Sequence, residues 1–222
     1  DLSDQIGPIA DAWKQENITF DAVYTGYLAS AEQCSQVCAF FDRFYDGNNL
    51  ILVDPAMADN GSLYPAFDES FPAEMAKVCA KADIILPNIT EACLLTGTPY
   101  KTSYDESYIH ELLKKLLALG CHTAALTGVS YEKGRLGVVS LDRNVDTFSY
   151  FTRHCPQSYH GTGDLYSSTV LGGLMRGLSL GNALSLAADF VVACIEATAS
   201  AENTRWYAVE FESQIPLLCE ML

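Results

Sequence analysis

Leu50-Ile51-Leu52-Val53-Asp54-Pro55, echoed further along by Ile84-Ile85-Leu86-Pro87-Asn88, decides the fold. Each stretch is an unbroken aliphatic run, without the in–out alternation of a strand that has one wet face. Such runs mark strands buried on both faces, as in a parallel sheet. Each ends in a proline beside Asp or Asn, residues that favour turns and cannot extend a central strand. A sheet covered on both faces needs helices, and the neighbouring segments supply them. Val37, Phe40, Phe41 and Phe44 recur at helical spacing between Ala31 and Tyr45, and Gly47-Asn48-Asn49 breaks the run. Between the two strands, a Gly/Asn/Pro-bearing loop through Gly61 and Pro65 leads to a helix near Pro72–Ala80.

The same alternation continues outward in both directions. Ile6, Ile9, Ala10 and Trp13 predict a first helix, and Ala22-Val23-Tyr24 a strand ending at Gly26. Downstream, Pro87–Glu91 opens a short helix closed by Gly97. Ser103 and Glu106 form an S-x-x-E capping box, ahead of an apolar stripe of Ile109, Leu112, Leu113, Leu116 and Leu117 stopped by Gly120. A strand over Thr123–Thr127 follows. Two β-like runs, Leu136–Leu141 and Val145–Phe151, are joined by Asp142-Arg143-Asn144 as in an antiparallel hairpin. The last third predicts helices over Leu165–Arg176 and Asn182–Ala199 and a weaker one toward Leu222. The expectation is one α/β domain over residues 1–222, with a mainly parallel central sheet flanked by helices and an antiparallel edge.

Composition narrows the function. Of 222 residues, 13 are Lys or Arg and 28 Asp or Glu, a net charge of −15, which excludes a general binder of nucleic-acid backbone. At 49% hydrophobic and 18% charged residues, the chain is not disordered. Eight cysteines are spread along the chain with no C-x-x-C and no Cys/His cluster, which argues against a zinc site or disulfide scaffold and for a reducing cytoplasm. Cys34 and Cys38 share a helix face and read as core or half-buried thiols. No secretory signal is expected, since no basic stretch followed by an apolar one stands at Asp1. Asp189 and Glu196 interrupt the apolar stretch Ala187–Ala201, so no membrane span is expected. The four histidines show no metal-ligand spacing.

In such sheets ligands bind at the carboxyl ends of the strands. Gly161-Thr162-Gly163-Asp164 precedes a helix, where convergent N–H groups and the helix dipole can hold a phosphoryl group and Asp164 can take a proton from an attacking hydroxyl. It can equally be a glycine turn with a first-turn acid. Asn88 and Glu91 make either a capping box or, through the Glu91 carboxylate, a group facing hydrated Mg²⁺. Asp54 and Asp59 face a polyphosphate–metal site or cap turns. Tyr27 lines a flat ligand or the core. Thr127-Gly128 is a weak strand-end signal, and His160 and Cys155 lie near the glycine turn without an assigned role.

Taken in order, T-G-Y at Thr25–Tyr27, D-P-x-M-x-D at Asp54–Asp59, P-N-x-x-E at Pro87–Glu91, T-G at Thr127-Gly128 and G-T-G-D at Gly161–Asp164 resemble the pyridoxal (or pyridoxamine) kinases of the ribokinase-like superfamily, over essentially the whole chain. The stretch Gly26–Gln33 resembles the segment that follows the substrate-lining tyrosine of the bacterial enzymes. The resemblance implies phosphorylation, from ATP with Mg²⁺, of the 5′-hydroxyl of pyridoxal, pyridoxamine or pyridoxine in B6 salvage. It also implies a cytoplasmic homodimer, with room for a monovalent cation. On this analogy Asp164 is the general base and contacts substrate, and Gly161, Thr162 and Gly163 form the anion hole. Asp54, Asp59, Asn88, Glu91 and Thr127 surround ATP and its phosphates, Glu91 and Asp59 hold Mg²⁺ through water, and Tyr27 faces the pyridine ring.

The chain departs from the pattern in three places. The family's N-terminal strand and lid segments precede the T-G-Y tyrosine, and only 24 residues come before Thr25 here, so those parts are expected to be absent and catalysis incomplete. Ala58 stands where the family usually has glycine. Ser158-Tyr159-His160 replaces the D-T-x of sugar kinases, which favours the vitamin-kinase branch. Hydroxymethylpyrimidine (phosphate) kinases share D-P and P-N-x-x-E, but their glycine turn typically ends in cysteine rather than Asp164. A truncated relative that binds without turnover is the remaining alternative.

Overall fold

The computed structural model describes residues 2–201 and 208–222; Asp1 and part of the segment leading to the expected last helix lie outside the described residues. The chain forms two compact units, one of residues 1–126 and 141–146, the other of residues 127–140 and 147–222.

The first unit begins with α1 (Ser3–Gln15), β1 (Ala22–Thr25), α2 (Ala31–Phe44) and β2 (Leu50–Val53). It continues through β3 (Ala58–Asp59), β4 (Ser62–Leu63), α3 (Phe71–Cys79), β5 (Ile84–Ile85), α4 (Ile89–Thr96) and α5 (Glu106–Leu119) into the first half of β6 (Thr123–Val129). Strands β1, β2, β5 and β6 pair in that order, all parallel, with Ala22 opposite Leu50, Leu52 opposite Ile84, and Ile84 opposite Thr123. The aliphatic runs are as dry as their sequence demands: Leu52, Val53 and Ile85 are fully buried. The stripe of α5 buries Ile109, Leu112, Leu113 and Leu116 completely, each contributing about 1.5–3 kcal/mol relative to an exposed position.

Two local expectations are corrected here. The N-cap of α5 is Asp105, whose carboxylate accepts from the Tyr108 N–H at 2.9 Å, so Ser103 lies outside the helix. Asp105 directly precedes the helix in an extended conformation, and its side chain reaches the third N–H without help. The presumed loop after Pro55 contains the hairpin β3–β4, turned by Asn60 and Gly61 at φ 50° and 80°. Two consecutive positive φ values define a type I′ turn, for which Asn-Gly is a preferred pair.

The second unit holds the rest of β6, most of β7 (Arg135–Asp142), β8 (Thr147–Arg153), α6 (Thr162–Met175), α7 (Leu180–Ser200), a 3-10 turn at Glu212–Gln214 and α8 (Ile215–Met221). The sheet order ends β6-β7-β8. The hairpin connection is one residue longer than expected: Val145 sits in the turn at φ 68°, and Asp142 N donates to Asp146 O at 3.2 Å. Both long helices begin earlier than expected, α6 at Thr162 and α7 at Leu180 behind a Ser179 N-cap.

By length and composition α7 meets the requirement for a membrane span, with mean hydropathy 1.5. Its two acids do not interrupt it. The Tyr150 hydroxyl of β8 donates to the Asp189 carboxylate at 2.7 and 2.8 Å, and Arg153 of β8 pairs with Glu196. Burial and the neighbouring Asp189 push the Tyr150 phenol up to about 12. Leu184, Ala187, Phe190 and Cys194 are buried, and α7 packs on α6 and β8, which makes it the core helix of this unit.

Candidate active site

In the first unit, three parallel strand ends bring their loops side by side. Asp54 N donates to Thr25 O at 2.9 Å and Leu86 N to Val53 O at 2.9 Å, so Asp54 emerges between Thr25-Gly26-Tyr27 and Pro87-Asn88. Asp54 is 8% exposed, and its Oδ1 accepts from Ala56 N at 3.2 Å. That contact folds the chain back with Ala56 at φ 33°. The next two amides, Met57 and Ala58, donate to Glu91 Oε1 at 3.0 and 3.4 Å. Glu91 Oε2 accepts from Asn88 N at 2.9 Å, while Asn88 Oδ1 accepts from Glu91 N at 3.0 Å and Asn88 Nδ2 donates to Ala58 O at 2.8 Å.

The capping box and the loop anchor are therefore one network, and both Glu91 oxygens lie within it. Glu91 is 2% exposed. Burial, and then the Asp54 charge, push its carboxyl up to about 8, against which only the backbone N–H bonds act. Two buried acids that raise one another's proton affinity fit a divalent ion that keeps its own water shell, whose binding would draw the proton from Glu91. Among the described residues, no three His, Cys, Asp or Glu side chains converge to hold a bare ion.

Asp59, on the exposed face of β3, accepts from Asn60 N at 2.8 Å and Asn60 Nδ2 at 3.0 Å. Ala58 is buried in β3, and the positive φ of this loop falls on Ala56. No glycine is needed at position 58, so its replacement by alanine is accommodated. Tyr27 is 52% exposed, with its ring 5.3 Å from Phe67, which stacks on Phe71 at 3.9 Å. Sequence reading singled out neither Phe67 nor Thr90. Thr90 lies inside the P-N-x-x-E motif, and the Asn60-Gly61 turn signal could have drawn attention to the hairpin it meets.

In the second unit the glycine turn is open. Gly161 occupies the N-cap of α6 at φ 86°, and no side chain caps the helix start. Gly161, Gly163 and Asp164 are exposed, with Asp164 in the first turn. Thr162 Oγ1 donates to Tyr159 O at 3.2 Å, and Val209 N donates to the His160 carbonyl at 3.2 Å, which fixes the approach to the turn. Thr127 is half-buried on β6 beside Gly128 at φ 72°. Cys155 lines a groove with Arg153, His154 and Glu196. A helix start with uncapped N–H groups and an acid on its first turn can bind an anion and receive a proton beside it.

The sequence profile of the phosphomethylpyrimidine kinase family matches residues 10–207. The chain belongs to this family. Among similar proteins, this family member is 29% identical over 201 residues to the hydroxymethylpyrimidine/phosphomethylpyrimidine kinase of Bacillus subtilis, covering 89% of the chain and 69% of that protein. It is 27% identical to the pyridoxine/pyridoxal/pyridoxamine kinase of Bordetella avium, covering 82% of the chain and 62% of the relative. The chain thus spans roughly two thirds of the length of these curated relatives. A provisionally named phosphomethylpyrimidine kinase from Bacteroides thetaiotaomicron, solved in one form with pyridoxal, superposes in that form with TM-score 0.90 at 33% identity, covering 100% of this chain and 77% of the other. Pyridoxal kinase from Lactobacillus plantarum gives 0.90 at 29% identity, covering 100% and 78%. The ribokinase-like α/β fold expected from the motifs is the fold of this family of small-molecule kinases.

Proposed function

We propose that this kinase-family chain phosphorylates the 5′-hydroxyl of a B6 vitamer (pyridoxal, pyridoxamine or pyridoxine) with ATP, in B6 salvage. The observation that carries this reading is the open turn Gly161–Asp164, where a carboxylate stands on the first turn of a helix whose start no side chain caps. Asp164 takes the proton as the 5′-oxygen attacks the γ-phosphorus, and the bond to the β-phosphate oxygen breaks to release ADP. The N–H groups at Gly161, Thr162 and Gly163 hold the transferring phosphoryl group. Asp54, and Glu91 once it gives up its proton, would supply negative charge toward hydrated Mg²⁺, and Asn88 holds the loop that follows Asp54. Asp59 and Thr127 attend the nucleotide, and Tyr27 offers a ring face to the pyridine. Mg²⁺, bound with ATP, neutralises charge on the phosphates. The working form proposed is a cytoplasmic homodimer.

Two supports favour a B6 vitamer. Asp164 ends the glycine turn where hydroxymethylpyrimidine kinases typically have cysteine, and the Bacteroides relative was solved with pyridoxal. The family profile and the Bacillus relative favour a second reading, phosphorylation of hydroxymethylpyrimidine or its phosphate. ADP release coupled to an indicator, with Mg·ATP and each of pyridoxal, pyridoxamine, pyridoxine and hydroxymethylpyrimidine, tests both. The expected result is turnover with the vitamers. Turnover with hydroxymethylpyrimidine alone would replace the first reading by the second, and turnover with none would remove catalysis from this chain.

A further inference from the structure

We infer that Thr90 is a positioning residue that holds the Asn60-Gly61 turn, and with it Asp59, for the nucleotide side of the reaction; this rests on the nucleotide role proposed for Asp59. The hairpin β3–β4 is short, with two residues in each strand and only Ala58–Leu63 and Asp59–Ser62 as cross-strand pairs. A two-stranded ribbon of that size does not hold its shape alone in water. What holds it is the first turn of α4. Glu91 accepts from Met57 and Ala58 N–H, and Asn88 Nδ2 donates to Ala58 O, which fixes the incoming strand. Neither contact reaches the turn.

Thr90 does. It is 3% exposed, and its Oγ1 accepts from Gly61 N at 3.0 Å. On the other side the Tyr100 ring closes against Gly61, so that a Cβ there would lie 2.9 Å from Cδ1. The turn is thus gripped from two directions at Gly61. Asp59 sits two residues before that grip, its carboxylate bonded to Asn60. Freed from Thr90, the turn would pivot about the fixed Met57–Ala58 limb, and the Asp59 carboxylate would sample a wider arc. The chain P-N-x-x-E therefore has a second purpose in its unlettered positions: Thr90 steers one acid of the loop while Glu91 anchors its start.

The test uses the 222-residue chain with Thr90→Val, which keeps the shape and removes the acceptor, Thr90→Ser, which restores it, and Tyr100→Ala as an independent release of the same turn. Hydrogen exchange at the Gly61 amide should quicken roughly tenfold in Thr90→Val. Calorimetric affinity for Mg·ADP, measured where near-UV circular dichroism shows every variant folded, should weaken roughly 3- to 10-fold, as the loss of one hydrogen bond implies. Thr90→Ser should recover both, and Tyr100→Ala should weaken Mg·ADP in the same sense. Unchanged exchange at Gly61, or faster exchange with wild-type Mg·ADP affinity, would overturn the positioning role while leaving the kinase reading in place. Failure of the wild-type chain to bind Mg·ADP would instead overturn the nucleotide reading, and the positioning role would fall with it.

Discussion

The strand-end loops of the first unit and the glycine turn of the second are built in opposite ways. Around Asp54 the polar groups are buried and mutually engaged: Glu91 receives three backbone N–H bonds, and Asn88 serves at once as helix cap and loop anchor. Around Gly161 the chain is exposed and the helix start carries no side-chain cap. The first arrangement fixes two acids side by side at a desolvation cost that keeps a proton on Glu91 up to about pH 8. The second leaves its hydrogen-bonding capacity open. Phosphoryl transfer draws on both kinds of group, acids fixed beforehand and donors not already committed.

If that contrast is functional, the two regions should fail differently. Asp164→Asn should cut turnover by ~10²–10⁴-fold, the usual cost of losing an acid–base group, with Mg·ADP affinity kept. Steady-state kinetics alongside equilibrium binding checks this. Wild-type turnover would strip Asp164 of the base role and leave the open turn as an anion cradle only.

In the buried region the effect should be on stability, and it should depend on pH. The Glu91 carboxyl is raised to about 8 in the folded chain by burial, then by Asp54, from an ordinary value of 4.5. Between those two values the folded chain holds a proton that the unfolded chain has released. Stability therefore falls as pH rises toward 8, by up to ~1.4 kcal/mol per pH unit, and levels off above it. Urea unfolding in EDTA from pH 6 to 9 should show this slope, and Glu91→Gln should flatten it. The amide still accepts from Met57 and Ala58, but its NH₂ then meets the Asn88 N–H, so the variant also loses one arm of the capping box. An equal slope in wild type and variant would mean that another group titrates.

What could be read from the sequence follows the range of the forces involved. Leu50–Val53 and Ile84–Leu86 were legible because burial on both faces writes itself into consecutive residues. The cap at Asn88 and the stop at Gly97 were legible because a helix end is settled within a few residues. The choice of Asp105 over Ser103 was a local contest that spacing alone does not decide, since both offer an oxygen ahead of Glu106. The hairpin at Asn60-Gly61 was signalled but lacked the alternating strands that usually flank such a turn. The bonds from the Met57 and Ala58 amides to Glu91, and from the Gly61 amide to Thr90, join residues about thirty positions apart and follow only from the packed sheet. The division into two units crosses β6 in mid-strand, where Leu126 and Thr127 carry no break in pattern.

A matched pair of backbone substitutions sharpens the contrast at a smaller scale. Gly161 adopts φ 86°, and a Cβ added there would meet nothing within 4 Å. Gly161→Ala should therefore cost in urea unfolding only the left-handed penalty of ~1–2 kcal/mol less the ~0.5–1 kcal/mol by which alanine restricts the unfolded chain. A larger loss would reveal that the turn is packed rather than open.

Ala56 presents the mirror case. It already bears the penalty, at φ 33° without being glycine, and it does so because Asp54 accepts from its N–H while Glu91 holds the two amides that follow. Ala56→Gly removes the strain but gives the unfolded chain more freedom to lose, a cost of ~0.5–1 kcal/mol. Against a left-handed penalty of ~1–2 kcal/mol, the expected net gain in stability is ~0–1.5 kcal/mol. The informative quantity is then Mg·ADP affinity rather than the unfolding midpoint. If the Glu91 network alone dictates the loop, affinity stays at the wild-type level because the bonds to Met57 and Ala58 survive the change. If affinity falls, the alanine itself keeps the loop from exploring conformations that glycine permits, and the strain at position 56 is part of how the buried region holds its acids in place.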